Sequence, residues 1–313
     1  MKLLIRITEI VIVMALLSLS IVSFNKINQV KLFETDDFDK VKYHLAIITD
    51  DTGSYAYEKF IAGVTATVDE MDALFEVYKV NDLSFDEIID MIVLTEVDGV
   101  ILRIGGSSEV SQGIERLKAS GVTVVAVGSD IPDSLRDVYV GTNKFNLGRH
   151  AANLSVNAIN GSGNIGVILG SEYVDSNAIA TNNFVNGIQD IVSKIEGIEL
   201  TTIKYSHEKR AELLMDELLD ENLIVDVLIC TDPVDVNRIL RVLVDRNKVG
   251  EVKIIASGDT AEIVDGIEKQ LITSSIVEDY FEIGSLAANY LIKVIAGERV
   301  STYVNVPFET IGD

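Results

Sequence analysis

From Tyr43 onward, short apolar runs alternate with stretches in which apolar residues recur every three or four positions. The short runs "HLAIIT", "FEVYKV", "GVILRI", "TVVAVG", "NIGVILG", "ELTTIKY", "DVLICT", "VKIIAS", "LITSSIV" and "YVNVPFE" predict strands. Runs of continuous Val and Ile predict strands buried on both faces. Between most of them the spacing predicts helices over 57–71, 85–95, 110–119, 147–159, 178–195, 208–220 and 234–247. Alternating strands and helices build parallel sheets through right-handed crossovers. Two similar series of such units predict two lobes. The segment "VYVGTNKFNLGR" (138–149) starts as a strand and ends as a helix, and carries Gly141, Thr142, Asn143, Asn146, Gly148 and Arg149. Its chemistry alone reads as a strand-to-helix turn, with Asn143 capping the helix.

The pattern before Tyr43 is different. "MKLLIRITEIVIVMALLSLSIVSFNK" carries Lys2 and Arg6, then no charge from Ile10 to Phe24. A basic flank before an apolar run is the pattern of secretory signals. The uncharged run is about 15 residues, roughly 22 Å as a helix, which is short for a full span. Counting from Ile7 and tolerating Glu9 brings it to spanning length. No small-x-small cleavage site stands out, and no Cys follows that would take a lipid. Residues 1–24 are therefore expected to be an uncleaved signal-anchor, its basic end in the cytoplasm and the rest outside. Residues 25–42 read as a polar linker, and "FETDDFD" within it as solvated chain rather than a calcium loop.

Composition removes several function classes. The 313 residues hold 26 Lys plus Arg against 49 Asp plus Glu, a formal charge of −23. Such a surface repels phosphate backbones, so no nucleic-acid partner is expected. Cys230 is the sole cysteine, which excludes an internal disulfide and a Cys-rich metal site; it reads as a buried small apolar residue. His44, His150 and His207 are scattered, with no metal-ligand spacing, nucleophile elbow or phosphate loop. "GSGNIG" (161–166) precedes a strand instead of following one, so no helix N-terminus would face a phosphate. No catalytic residue, metal or cofactor is expected, and the chain does not read as an enzyme.

Five motifs occur in a telling order: "AIITDDTGSYAYEKFIAGV" (46–64), "VDGVILR" (97–103), "VGTNKFNLGRHAANL" (140–154), "VLICTDPVDVNRILRVL" (227–243) and "SIVEDYFEIGSLAANYL" (275–291). Together they resemble the type I periplasmic solute-binding proteins, in the ribose-binding branch of the sugar-binding family, over about 43–309. The resemblance implies an α/β fold: two doubly wound parallel-sheet lobes joined by a three-crossover hinge, here preceded by the N-terminal membrane helix. One lobe would hold 43–141 plus 279–302, the other 142–278 plus 303–313. The crossings fall near Gly141, near Glu278 and Asp279, and near Thr302, with Gly141, Thr142 and Asp279 as hinge residues. The first helix would end at Ala62 and Gly63. Ligand would sit in the cleft at the carboxyl ends of the strands, closed upon by hinge motion.

The same resemblance nominates ligand-binding residues. After the first strand come Asp51, Ser54, Tyr55 and Tyr57. Ser54 stands where the family has Asn, Ala56 at its first stacking aromatic and Tyr57 at its second, with Tyr55 as a substitute face. Arg103 ends the strand "DGVILR", where its guanidinium suits a carboxylate, a phosphate or a vicinal diol. Gly128 and Ser129 replace the family's Asp-Arg. Its sugar-binding Arg, which would fall near Ala180 or Thr181, is absent. Tyr173 and Asn177 belong to the neighbouring loop. Thr231 and Asp232 stand at the family's Asn-Asp, Asp259 follows the next strand, and Glu278 replaces a Gln. Arg103 points to an anionic group, whereas Asp259 and Glu278 point to a cation or a donor-rich sugar. The implied function is capture of a small polar ligand, a sugar or sugar derivative, for delivery to the permease of an ABC importer. The alternative is a membrane-tethered ligand sensor acting through a two-component histidine kinase or chemoreceptor. Regulators of the lactose-repressor type share the fold but need an N-terminal helix-turn-helix, and the apolar segment occupies that place.

Overall fold

The computed structural model describes residues 42–312 except 81, 106, 132, 171–177, 205–214, 217–218 and 220–224. The expected signal-anchor, nearly all of the linker and most of the expected helix at 208–220 lie outside the described residues. No helix among the described residues is long and apolar enough to cross a membrane.

Two six-stranded sheets form the frame. The first contains β1 (Tyr43–Thr49), β2 (Ala73–Lys79), β3 (Gly99–Arg103), β4 (Thr123–Val127), β5 (Val138–Gly141) and β11 (Tyr303–Asn305). Their order is β2-β1-β3-β4-β5-β11, with every pairing parallel. The second contains β6 (Gly163–Leu169), β7 (Ile198–Lys204), β8 (Val227–Cys230), β9 (Lys253–Ser257), β10 (Ser274–Glu278) and β12 (Phe308–Gly312). Their order is β7-β6-β8-β9-β10-β12, parallel except for the antiparallel pair β10–β12. The helices are α1 (Tyr55–Glu70), α2 (Phe85–Leu94), α3 (Ser108–Ala119), α4 (Lys144–Ala158), α5 (Ala178–Val192), α6 (Pro233–Asp245), α7 (Ala261–Glu268) and α8 (Tyr280–Ile295).

Successive strand side chains point to opposite faces, and both faces of each sheet are covered. On β1, Leu45 and Ile47 join a core with Phe60 of α1 and with Ile283 and Leu291 of α8. Ala46 and Ile48 join a separate core with Ile88 of α2 and Ile114 of α3. On β6, Ile165 and Val167 pack with Phe184 and Ile188 of α5, while Ile168 packs with Val236 and Ile239 of α6. This two-sided burial is why the strands read as unbroken Val/Ile runs rather than as alternating ones.

Two helix pairs approach closely through glycine. A Cβ on Gly63 would lie 1.9 Å from the Phe281 carbonyl oxygen, and one on Gly284 would lie 2.1 Å from that of Phe60. The second lobe repeats the device: Gly148 against the Phe184 oxygen at 2.0 Å, Gly187 against the Phe145 oxygen at 2.1 Å. So α1 does not end at Ala62 and Gly63. It continues to Glu70, and Gly63 is where α8 crosses it.

The chain changes sheets three times: from β5 through Thr142 and Asn143 into α4, from β10 through Asp279 into α8, and from β11 through Val306 and Pro307 into β12. "YVNVPFE" is therefore two strands in different sheets, and the third passage lies beyond Thr302. Asn143 caps α4, its side chain accepting from the Asn146 N–H at 3.0 Å. Gly141 does not occupy the left-handed region. Its lack of a side chain has a different cause: a Cβ would sit 2.5 Å from the Tyr139 hydroxyl.

Candidate ligand cleft

Strand order in the first sheet reverses between β1 and β3, and open α/β sheets favour ligand binding at that switch point. Asp50 and Asp51 leave β1 there and Arg103 ends β3. With Val127, Gly128, Thr142 and Lys144 from the next strand ends and the first passage, they line a cleft. Glu278 and Tyr280 border it from the second passage, and Phe60 and Ile283 give it apolar surface. Gly128 holds φ at +76°, a conformation that favours glycine.

The cations around this cleft are matched with carboxylates. Arg103, whose side chain is 10% exposed, donates from Nη1 to Asp51 Oδ2 at 3.1 Å. Its guanidinium also lies 5.9 Å from the Tyr57 ring and 5.8 Å from the Phe60 ring. Lys144 Nζ donates to both Glu278 oxygens, at 2.7 and 2.9 Å, and the Tyr280 hydroxyl donates to Glu278 Oε1 at 3.0 Å. Lys59 of α1 reaches across to Asp259, after β9, at 2.7 and 3.0 Å. Burial pushes the Asp51 carboxyl up, but the Ser54 hydroxyl, the Arg103 charge and the N–H groups of Gly53 and Ser54 outweigh it. Asp51 therefore titrates below its ordinary value. Asp232 goes the other way. Burial raises its pKa, and the charges of Asp235 beside it and of Asp51 in the first lobe raise it further.

The nominated residues divide by what their polar atoms already hold. Asp51, Arg103, Gly128 and Glu278 line the cleft. Ser54 is occupied locally: it accepts from the Tyr57 N–H at 3.1 Å as the cap of α1 and donates to Asp51. Tyr57 stands beside Arg103 and is not among the lining residues. Tyr55 bridges the lobes, its hydroxyl accepting from the Asp259 N–H at 3.3 Å and its ring meeting Tyr280 edge-on at 6.4 Å. Thr231 is tied within the second sheet, accepting from the Gly170 N–H at 2.8 Å and donating to the Ile168 carbonyl at 3.2 Å. Asp232 caps α6 through the Val234 N–H, and Asp279 caps α8 through the Glu282 N–H, both at 2.9 Å. Ser129 is buried next to Gly128. Gly141 ends β5, and Thr142 follows it and lines the cleft. Tyr173 and Asn177 lie outside the described residues.

Lys144, Lys59, Phe60 and Tyr280 were not singled out from sequence. One signal pointed to Lys144: a carboxylate expected inside a cleft needs a cation, and Lys144 opens the helix after the first passage. Phe60 and Tyr280 carry no local mark, because they reach the cleft only through the contact of α1 with α8.

Residues 45–299 match the family model described as periplasmic binding protein domain. No curated protein matches the sequence. Among solved structures, the glucose-galactose binding protein GanP from Geobacillus stearothermophilus has a TM-score of 0.77 at 22% identity, over 86% of this chain and 97% of that one. An ABC transporter solute binding protein from Burkholderia graminis, in complex with D-arabinose, has a TM-score of 0.79 at 21% identity, over 88% and 96% of the two chains. XylFII has a TM-score of 0.76 at 23% identity, over 87% and 99%, and is also solved as a XylFII–LytSN complex. At these identities the likeness is one of fold.

Proposed function

The chain belongs to the periplasmic binding protein family, whose members are solute binders and not enzymes, and on that premise we propose that it captures a sugar or sugar derivative outside the cytoplasm and delivers it to an ABC importer. Asp51, Arg103, Gly128 and Glu278 would contact the ligand, and closure would turn on Gly141, Thr142 and Asp279. The segment 1–24 would tether the receptor to the membrane.

The observation that carries this reading is the pairing of charge around the cleft. Arg103 is matched by Asp51, Lys144 by Glu278 and Lys59 by Asp259. An anionic ligand anchored on Arg103 would compete with Asp51 for its charge. A sugar hydroxyl both donates and accepts, so it can lie against a matched pair and leave the pair intact. The Tyr280 ring borders the cleft and offers apolar surface to ring C–H groups. The glucose-galactose and D-arabinose binders of the same fold agree in ligand class. A second reading, a tethered sensor acting through a histidine kinase or chemoreceptor, draws support from the XylFII–LytSN complex, in which a protein of this fold is held by another protein.

Thermal unfolding against sugars, sugar acids, polyols, nucleosides and amino acids tests the proposal. A ligand at about a hundred times its dissociation constant adds roughly 2.7 kcal/mol. Stabilisation by neutral sugars is the expected result. Stabilisation by sugar acids alone would make Arg103 an anion anchor and overturn the charge argument. No stabilisation by any solute would move the sensor reading ahead.

A further inference from the structure

Resting on the reading of the cleft as a sugar site, we propose that Thr142 is a specificity-determining ligand contact, so that the first passage between the lobes is part of the binding surface. Thr142 follows β5 directly, is 2% exposed, and lines the cleft. Among the described residues, its buried Oγ1 has no hydrogen-bond partner. Buried hydroxyls in folded proteins almost always have partners, and one without calls for a reason. Thr231 is a useful contrast. It too is a buried threonine at a strand end, and its hydroxyl is bonded on both sides.

The surroundings of Thr142 indicate the group it would meet. Lys144, two residues on, is a donor, and the Glu278 carboxylate bonded to it is an acceptor. A threonine hydroxyl can do either. This set suits two adjacent hydroxyls of a neutral polyol, one against the Lys144–Glu278 pair and one against Thr142. A site built to bond a hydroxyl strongly rejects the analogue that lacks it. Thr142 and Lys144 stand on the first passage and Glu278 at the second. A diol held by all three would therefore join the two segments about which the lobes move, and its recognition would be coupled to closure.

The test uses the full chain as wild type, Thr142→Val and Thr142→Ser, with D-glucose, D-galactose, D-arabinose and D-allose as probes. Melting temperatures are measured without sugar, and dissociation constants by calorimetry for the sugar that wild type binds most tightly. Thr142→Val keeps the shape and removes the hydroxyl. It should melt at or above wild type without sugar, since no protein partner is lost, and bind about tenfold or more weakly. Thr142→Ser should keep most of the affinity. A clear fall in the sugar-free melting temperature of Thr142→Val would mean that the hydroxyl has a structural partner and would overturn the assignment. So would wild-type affinity in Thr142→Val, or an equal loss in Thr142→Ser, which would make the methyl group the cause; in these cases the sugar-receptor reading stands. If wild type binds none of the four sugars, that reading falls and this inference falls with it.

Discussion

The Lys144–Glu278 ion pair links residues flanking the first and second passages, and the two side chains are only 9% and 7% exposed. Two charges withdrawn from water are held by their mutual attraction, so removing one strands the other. Lys144→Met should cost about 3–5 kcal/mol in urea denaturation, and adding Glu278→Leu should recover most of that loss. A single-variant cost below about 1 kcal/mol would show that the pair is solvated. Asp232 allows a pH prediction. Its pKa is raised in the folded state, so the folded protein holds its proton to higher pH than the unfolded chain. Its charge thus costs stability above the ordinary carboxylate range, and the cost fades as pH falls. Asp232→Asn keeps an N-cap and should raise stability at pH 7, with the gain gone by about pH 3. An equal gain at both pH values would exclude the charge as its source. At this scale the sequence was only partly readable. Glu278 and Arg103 could be nominated because they end recognisable strands. Lys59 and Phe60 could not, because their partners are distant in sequence and only the folded chain brings them together.

The helices depend on contacts that local pattern does not reveal. Apolar spacing located α1 and α4 well, yet it could not say what Gly63 and Gly148 were for. Each is a point where a neighbouring backbone passes within van der Waals range. Gly63→Ala would drive its methyl group into the Phe281 carbonyl, and Gly148→Ala would do the same at Phe184. Each should cost about 1–3 kcal/mol or more, as overpacking does. Gly53→Ala, where a Cβ meets nothing within 4 Å, is the control and should be near neutral. Denaturation that ranks Gly53→Ala with the other two would refute the close approach. "YVNVPFE" failed as a single strand for a related reason. Periodicity reports that residues are extended, not which sheet they join, and here β11 and β12 are assigned to sheets on either side of Val306 and Pro307.

For the molecule as a whole, two lobes were legible from the repeated β-α units, and the parallel sheets followed from the alternation of strands with helices. The contacts that hold the lobes together were not legible. Lys59–Asp259 and the Tyr55 hydroxyl on the Asp259 N–H bridge them directly. Lys59 and Asp259 are 39% and 37% exposed, so solvent screens the pair and it is worth about 0–1 kcal/mol. Lys59→Ala should therefore raise the open-to-closed ratio by at most roughly fivefold. Small-angle scattering would report this as a larger radius of gyration, and about 1 M salt should move wild type the same way. An unchanged radius in both experiments would mean that the bridge does not set the balance. The triple passage also bears on the order in which the chain is made. When a ribosome has delivered Gly141, β1 to β5 exist, but their sheet lacks α8 on one face and β11 at its edge. Both come from beyond residue 279, after nearly all of the second lobe has been synthesised. The half of the molecule that begins first is thus completed late, and the growing polypeptide stays short of its native first core for most of translation.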